Sequence, residues 1–251
     1  MGNDISPEQM HDVERLAALC EEAGIPISQE QGVSLTTYLD IMLRKNQVMN
    51  LTAIRDFDKG LVLHLVDSLL FTKFLPEERL DPLSYDFLDM GTGGGLPGIP
   101  IAIARPDYTG VLCDSTKKKV AAVGEFIEAL GLQGRLSTED ERVETLATRF
   151  PEEFSHVVVC AMASLPVLLE YAAPLLSPDG TLIVSKGTPS EEELERGHKV
   201  AELVGLGLQE QRQFELPLGE GHRTFLVYRR THAAKVKLPR QIGFATTYPL
   251  A

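Results

Sequence analysis

Between Phe87 and Gly98 the chain reads Phe-Leu-Asp-Met-Gly-Thr-Gly-Gly-Gly-Leu-Pro-Gly. Glycines this dense let a backbone turn sharply and come close to a ligand, as in strand-to-helix loops that cradle nucleotides. Asp89 stands just before the turn, and Asp114 ends the next apolar run. Two chemistries fit that arrangement. Gly93-x-Gly95-x-x-Gly98 with an acidic residue beyond it matches a dinucleotide fingerprint, in which Asp114 would bind a ribose. A carboxylate placed before the turn, however, opposes a pyrophosphate and suits the ammonium end of S-adenosylmethionine (SAM), directly or through water. The balance favours SAM, with Asp89, Gly91, Gly93 and Gly95 in the cradle and Asp114 accepting both ribose hydroxyls. A tight glycine turn without a ligand stays open, as does an N-cap role for Asp114 ahead of Lys117–Lys119, a run that reads as a solvated helix face.

Such a loop needs a sheet to hold it. From Asp81 onward, short apolar runs (Tyr85–Asp89, Gly110–Asp114, Arg135–Thr138, His156–Cys160, Thr181–Ser185 and Thr224–Tyr228) alternate with helical stretches. This rhythm predicts an α/β fold with a mainly parallel, doubly wound sheet. Asp89 and Asp114 then fall at the carboxyl edge of neighbouring strands, where open sheets bind ligands. Residues 1–80 read instead as a helical cap, leaving 81–251 as the ligand-binding domain. Ser6-Pro-Glu-Gln9 and Ser28-Gln-Glu-Gln31 are capping-box starts, each followed by apolar residues at helical spacing. A third helical stretch is expected from about Lys59 to Phe74.

Composition narrows the function classes. A net charge of −12, from 24 Lys+Arg against 36 Asp+Glu, excludes a non-specific nucleic-acid binder, so any nucleic-acid partner must meet a local basic patch. Cys20, Cys113 and Cys160 are far apart in apolar contexts, which predicts reduced core residues and no metal site. No apolar run is long enough for a membrane span and the N-terminus lacks a leader pattern, so a cytoplasmic protein is expected.

Three blocks carry a resemblance: Asn50-Leu-Thr-Ala-Ile-Arg-Asp56, His64-x-x-Asp67-Ser68-Leu69, and Gly91-Thr-Gly-Gly-Gly-Leu-Pro-Gly-Ile-Pro100. With Cys113-Asp-Ser115, Arg142-Val-Glu144, Ala161–Leu165 and Ser185-Lys-Gly187 in the same order, the chain resembles the RsmG (GidB) family, bacterial guanine-N7 methyltransferases of small-subunit (16S) ribosomal RNA. The resemblance implies a class I SAM-dependent methyltransferase (Rossmann-like) fold and a monomer acting on the small ribosomal subunit or its RNA. It also implies that Gly91 and Leu96 line the cofactor pocket, Asp114 holds the ribose, and Val143 with Glu144 borders the adenine. Asn50, Thr52, Arg55, His64 and Asp67 would frame the RNA side, Asn50 and Asp67 toward the guanine edge, Arg55 and His64 toward phosphate. The chain departs at Cys160, an active-site position where family members usually carry arginine. It departs again in the tail, where Thr246 and Thr247 stand in place of lysine; these departures favour the two alternatives, a SAM-dependent methyltransferase of a different substrate and a non-enzymatic SAM-binding homologue. Guanine N7 has a free lone pair, so its methylation needs no base and no catalytic dyad is expected.

Overall fold

Two serines start the N-terminal helices. The computed structural model describes residues 5–79, 85–160 and 162–251. Ser6 caps α1 (Pro7–Glu22) by accepting from the Gln9 amide, and Ser28 caps α2 (Gln29–Met49) with a complete reciprocal box. The first box is only half made, because the Gln9 side chain donates to Thr37 on α2 at 3.0 Å. The third helical stretch is one continuous rod in four registers: α3 (Phe57–Gly60), a π-helical segment Leu61–Val66, α4 (Asp67–Leu69) and a 3-10 turn Leu70–Phe74.

The remainder alternates β1 (Tyr85–Met90), α5 (Gly98–Ala104), β2 (Gly110–Cys113), α6 (Lys117–Ala129), β3 (Leu136–Glu139), α7 (Val143–Arg149), β4 (Phe154–Cys160), α8 (Leu165–Ala172), β5 (Leu176–Lys186) and α9 (Glu191–Val204). It closes with an antiparallel pair, β6 (Leu206–Glu215) and β7 (His222–Arg230), and a short α10 (Phe244–Thr247). The seven strands lie in the order β3-β2-β1-β4-β5-β7-β6, with β1 to β5 parallel and β7 antiparallel to both neighbours. Chain order reverses between β2-β1 and β1-β4, so the crevice beyond the carboxyl end of β1 is the switch point. Strand β6 was not among the expected runs.

Alternate residues of each strand feed opposite cores. Phe87, Val158, Ile183 and Phe225 face the first, which contains the N-terminal helices (Leu35, Leu39, Leu65, Phe71) together with α5 and α6. Leu88, Val157, Leu182 and Leu226 face the second, shared with α7, α8 and α9. The N-terminal helices therefore cover one sheet face as part of the same core; Phe71 packs edge-on against Phe225 with ring centroids 4.9 Å apart. The expected division at 80/81 lies outside the described residues. Among those described, no helix is long and apolar enough to cross a membrane.

Candidate cofactor cleft

Where β1 ends, the chain cannot continue straight and the glycines take the turn. Gly91 has φ +83° and Gly93 φ +57°, conformations that cost an L side chain strain. The Gly91 and Thr92 amides both donate to the Cys113 carbonyl at 2.9 Å, which ties the loop to the end of β2. Asp89 is completely buried. Its Oδ2 accepts from Thr92 Oγ1 at 2.6 Å and from the Gly98 amide at 2.8 Å, whereas Oδ1 has no partner among the described residues. Burial pushes the Asp89 carboxyl up to about 7, against the pull of these two bonds. The Gly98 amide at the start of α5 is where a pyrophosphate would dock, and Asp89 already occupies it. Antiparallel β7 between β5 and β6 also departs from the dinucleotide-binding strand order. A dinucleotide does not fit this loop.

Beside the loop lies a cleft of about 240 Å³. Gly91 and Asp114 form one side, Val143 and Glu144 from the start of α7 another, and Met162, Tyr171 and Thr246 close it. Asp114 accepts from the Thr116 amide at 2.8 Å through Oδ1 and from the Gly93 amide at 3.2 Å through Oδ2. Each oxygen keeps a second lone pair for a hydroxyl, and the N-cap position of α6 belongs to Thr116. Glu141 also lines the cleft, and its buried Oε2 has no partner among the described residues. A ligand carrying N–H and O–H donors satisfies these acceptors, and SAM carries an ammonium, an amino group and two ribose hydroxyls. Gly93, Gly95, Leu96, Asp89 and Cys160 are not on the cleft wall. Gly95 serves packing, since a Cβ there would lie 2.7 Å from Ile99 and 3.0 Å from the Tyr38 hydroxyl.

The predicted acceptor-side residues form two groups. Asn50 ends α2 in the left-handed conformation and accepts from Arg55 at 3.2 Å; both are exposed. Thr52 is held by buried Asn46, which donates to the Thr52 carbonyl and accepts from its amide, both at 3.0 Å. His64 bonds Thr52 Oγ1 through Nε2 at 3.1 Å and is 6% exposed, and burial pushes its imidazole down to about 4. A buried neutral ring is not set to meet phosphate, so its position offers support for the Thr52 turn instead. Leu51 packs on the glycine loop, 3.5 Å from where a Cβ of Gly94 would stand. The second group is Asp67, whose Oδ2 accepts from Arg223 Nε at 2.8 Å while its buried Oδ1 has no partner among the described residues.

A family profile described as GidB, rRNA small subunit methyltransferase G, matches residues 31–217. The chain belongs to the GidB family. Ribosomal RNA small subunit methyltransferase G of Acetivibrio thermocellus is 34% identical over 229 residues, covering 90% of this chain and 92% of that one. Its Deinococcus radiodurans counterpart is 36% identical over 84% of this chain and 83% of that one. Among solved structures, an O-methyltransferase from Bacillus cereus in complex with SAH superposes with a TM-score of 0.55 at 17% identity, covering 87% of this chain and 100% of that one. The [4+2]-cyclase SpnF reaches 0.52 at 13% identity, covering 80% and 96%. The architecture is the class I SAM-dependent methyltransferase fold; that a cyclase shares it shows why the activity must be read from the site and the GidB match.

Against the GidB pattern, Cys160 sits at the carboxyl end of β4 with its thiol pushed up to about 12 by burial. It is a neutral group beside Asp67, Asp89, Arg223 and Lys186, all of which act on it electrostatically. Arg223 and Lys186 thus supply the positive charge at this edge. Lys186 donates to the Ala163 carbonyl at 3.1 Å and pairs with Glu193 at 2.8 Å, and Glu193 accepts from the Leu165 amide, so the segment after β4 is fastened to β5. Ala161 itself lies outside the described residues. Asn46, Met162, Tyr171 and Glu141 were not foreseen as site residues. Only Asn46 left a signal, as a polar residue continuing the Tyr38, Leu39, Met42 stripe.

Proposed function

We propose that this GidB-family chain transfers a methyl group from SAM to N7 of a guanine in small-subunit ribosomal RNA. The observation that carries this reading is a cleft at the switch point, lined by Gly91, Asp114, Val143 and Glu144, with the Asn50–Thr52 turn packed against the same glycine loop. SAM supplies an electrophilic sulfonium methyl when bound. Asp114 holds the ribose hydroxyls, Glu141 on the cleft wall offers an acceptor to a ligand N–H, and the bare backbone of Gly91 allows close approach. On the acceptor side Asn50 and Asp67 meet the base edge and Arg55 a phosphate, while Thr52 and His64 hold the turn. Nothing has to remove a proton from N7, so orientation can supply up to about 7–11 kcal/mol of the barrier reduction.

The net charge of −12 and the pairing of cations such as Arg44, Lys45, Arg149 and Lys235 with nearby carboxylates support an assembled or partly assembled subunit, in the cytoplasm, as the substrate. The same reading takes the chain as a monomer. Labelled SAM offered with small subunits, naked ribosomal RNA and small molecules in parallel tests it. Label should enter subunit RNA at a guanine that becomes sensitive to reductive strand cleavage, the mark of an N7-alkylated base. Label confined to small molecules or protein overturns the reading.

A further inference from the structure

After β7 the chain does not trail into solvent. It crosses the α7–α9 side of the sheet, fixed at successive points. The Lys235 amide donates to the Leu203 carbonyl at 2.8 Å. Arg240 forks onto buried Glu170 of α8 at 2.7 and 2.6 Å and donates to the Tyr248 carbonyl at 2.8 Å. The Gly243 amide donates to Glu144 Oε1 at 2.8 Å, and Arg196 donates to the Ala251 carbonyl at 2.7 Å. Between these anchors Ala245 is buried in the second core. Thr246, one residue on, lines the cleft.

We propose that the C-terminal tail is a wall of the cofactor site, with Thr246 of α10 as a positioning residue for SAM at the Val143–Glu144 end of the cleft. The inference rests on the reading that this cleft takes SAM. Two observations carry it independently. Thr246 reaches the cleft itself, and the carboxylate of Glu144, on the cleft's own wall, is the group that grips the tail. Glu144 therefore shapes the pocket by holding Gly243 in place as well as by its own surface.

The test uses the full chain with Thr246→Trp, Thr246→Ser, Thr247→Trp and Asp114→Ala, read by SAM calorimetry, thermal unfolding, and separate KM values for SAM and for small subunits. Thr246 and its neighbour Thr247 are both exposed on the same turn, but only Thr246 lines the cleft. Thr246→Trp should weaken SAM binding about ten-fold or more and raise the SAM KM, with the subunit KM and the unfolding temperature unchanged. Thr246→Ser and Thr247→Trp should bind SAM as the unmodified chain does. Unchanged SAM affinity in Thr246→Trp, alongside a clear loss in Asp114→Ala, overturns the tail proposal alone. A raised subunit KM with normal SAM affinity also overturns it and assigns the tail to the acceptor. If Asp114→Ala binds SAM normally as well, the cleft is not the cofactor site and both readings fall.

Discussion

Replacing Gly91 with alanine puts one methyl group where the structure has two separate objections to it. The backbone sits at φ +83°, and forcing an L side chain into the left-handed region costs about 1–2 kcal/mol. For a chain of 251 residues, that is a fall in unfolding temperature of about 2–8 °C. The second objection is steric: the new Cβ would lie 2.6 Å from Met162 Sδ and 2.9 Å from its Cγ. Met162 is half-buried and lines the cleft, so its side chain yields by swinging into the space the ligand needs. The single variant should thus lose both stability and SAM affinity. Adding Met162→Ala removes the obstruction and leaves the backbone strain, so the double variant should recover affinity while the strain penalty from Gly91→Ala persists against a Met162→Ala background. Differential scanning fluorimetry and calorimetry on the four proteins separate the two effects. Equal affinity losses in the single and double variants would refute the steric argument, and undiminished SAM binding in Gly91→Ala would refute the placement of the ligand beside this loop.

Arg223→Met strands the Asp67 carboxylate, whose side chain is 8% exposed, and should cost up to about 3–5 kcal/mol at neutral pH. Burial already raises that carboxyl and Arg223 opposes the rise, so without the arginine the folded state favours the neutral acid more strongly. Stability of the variant should be better retained at acid pH and fall as pH rises, which urea titrations at pH 5 and pH 8 will show; a pH-independent loss contradicts the argument. His64 and His156 are buried and both held near 4, below the ordinary imidazole value of 6.5. Their depressed values make the stability they contribute complete above about pH 6.5 and lost as pH falls toward 4, by at most about 3 kcal/mol each. His156→Gln should flatten that acid limb in denaturant titrations, and an unchanged limb would place the acid sensitivity elsewhere. Binding to naked ribosomal RNA should be weak with a shallow log–log salt slope, since each phosphate contact contributes only about 0.7–0.9; filter binding that shows a steep slope contradicts the charge argument.

The glycine loop and Asp114 could be read in advance because they follow apolar runs that the sheet must bury, and strand ends in a doubly wound fold all point to one edge. Strand β6 could not. Its Gln209–Gln213 stretch is polar and exposed on the sheet's margin, so it lacks the alternation that marks a half-buried strand, and its charges suit an edge that must not pair with another chain. The stretch from Lys59 read as a plain helix, yet its π-helical segment Leu61–Val66 shifts the faces of the rod around His64 and Asp67. That shift departs from the 3.6-residue period of the plain helix expected from Lys59 to Phe74. Met162 and Tyr171 from the β4–α8 segment meet Thr246 from the tail at the cleft, and none carries a local pattern. The Asp89 carboxylate suggested a ligand's ammonium by charge, but burial, the Thr92 hydroxyl and the Gly98 amide engage one of its oxygens in building the loop.

Helix α2 touches both halves of the proposed site. Near its middle the Tyr38 hydroxyl donates to the Gly94 carbonyl at 2.8 Å, and two turns later Asn46 brackets Thr52. Eight residues of α-helix span about 12 Å, so a single rigid strut sets the spacing between the donor's cradle and the turn assigned to the acceptor. The two need no hinge to find their register, because the calibration is built into one rod. An inserted residue between Tyr38 and Asn46 would turn one end relative to the other by about 100°, so length variation within the family should be tolerated before this stretch or after it, and selected against inside it.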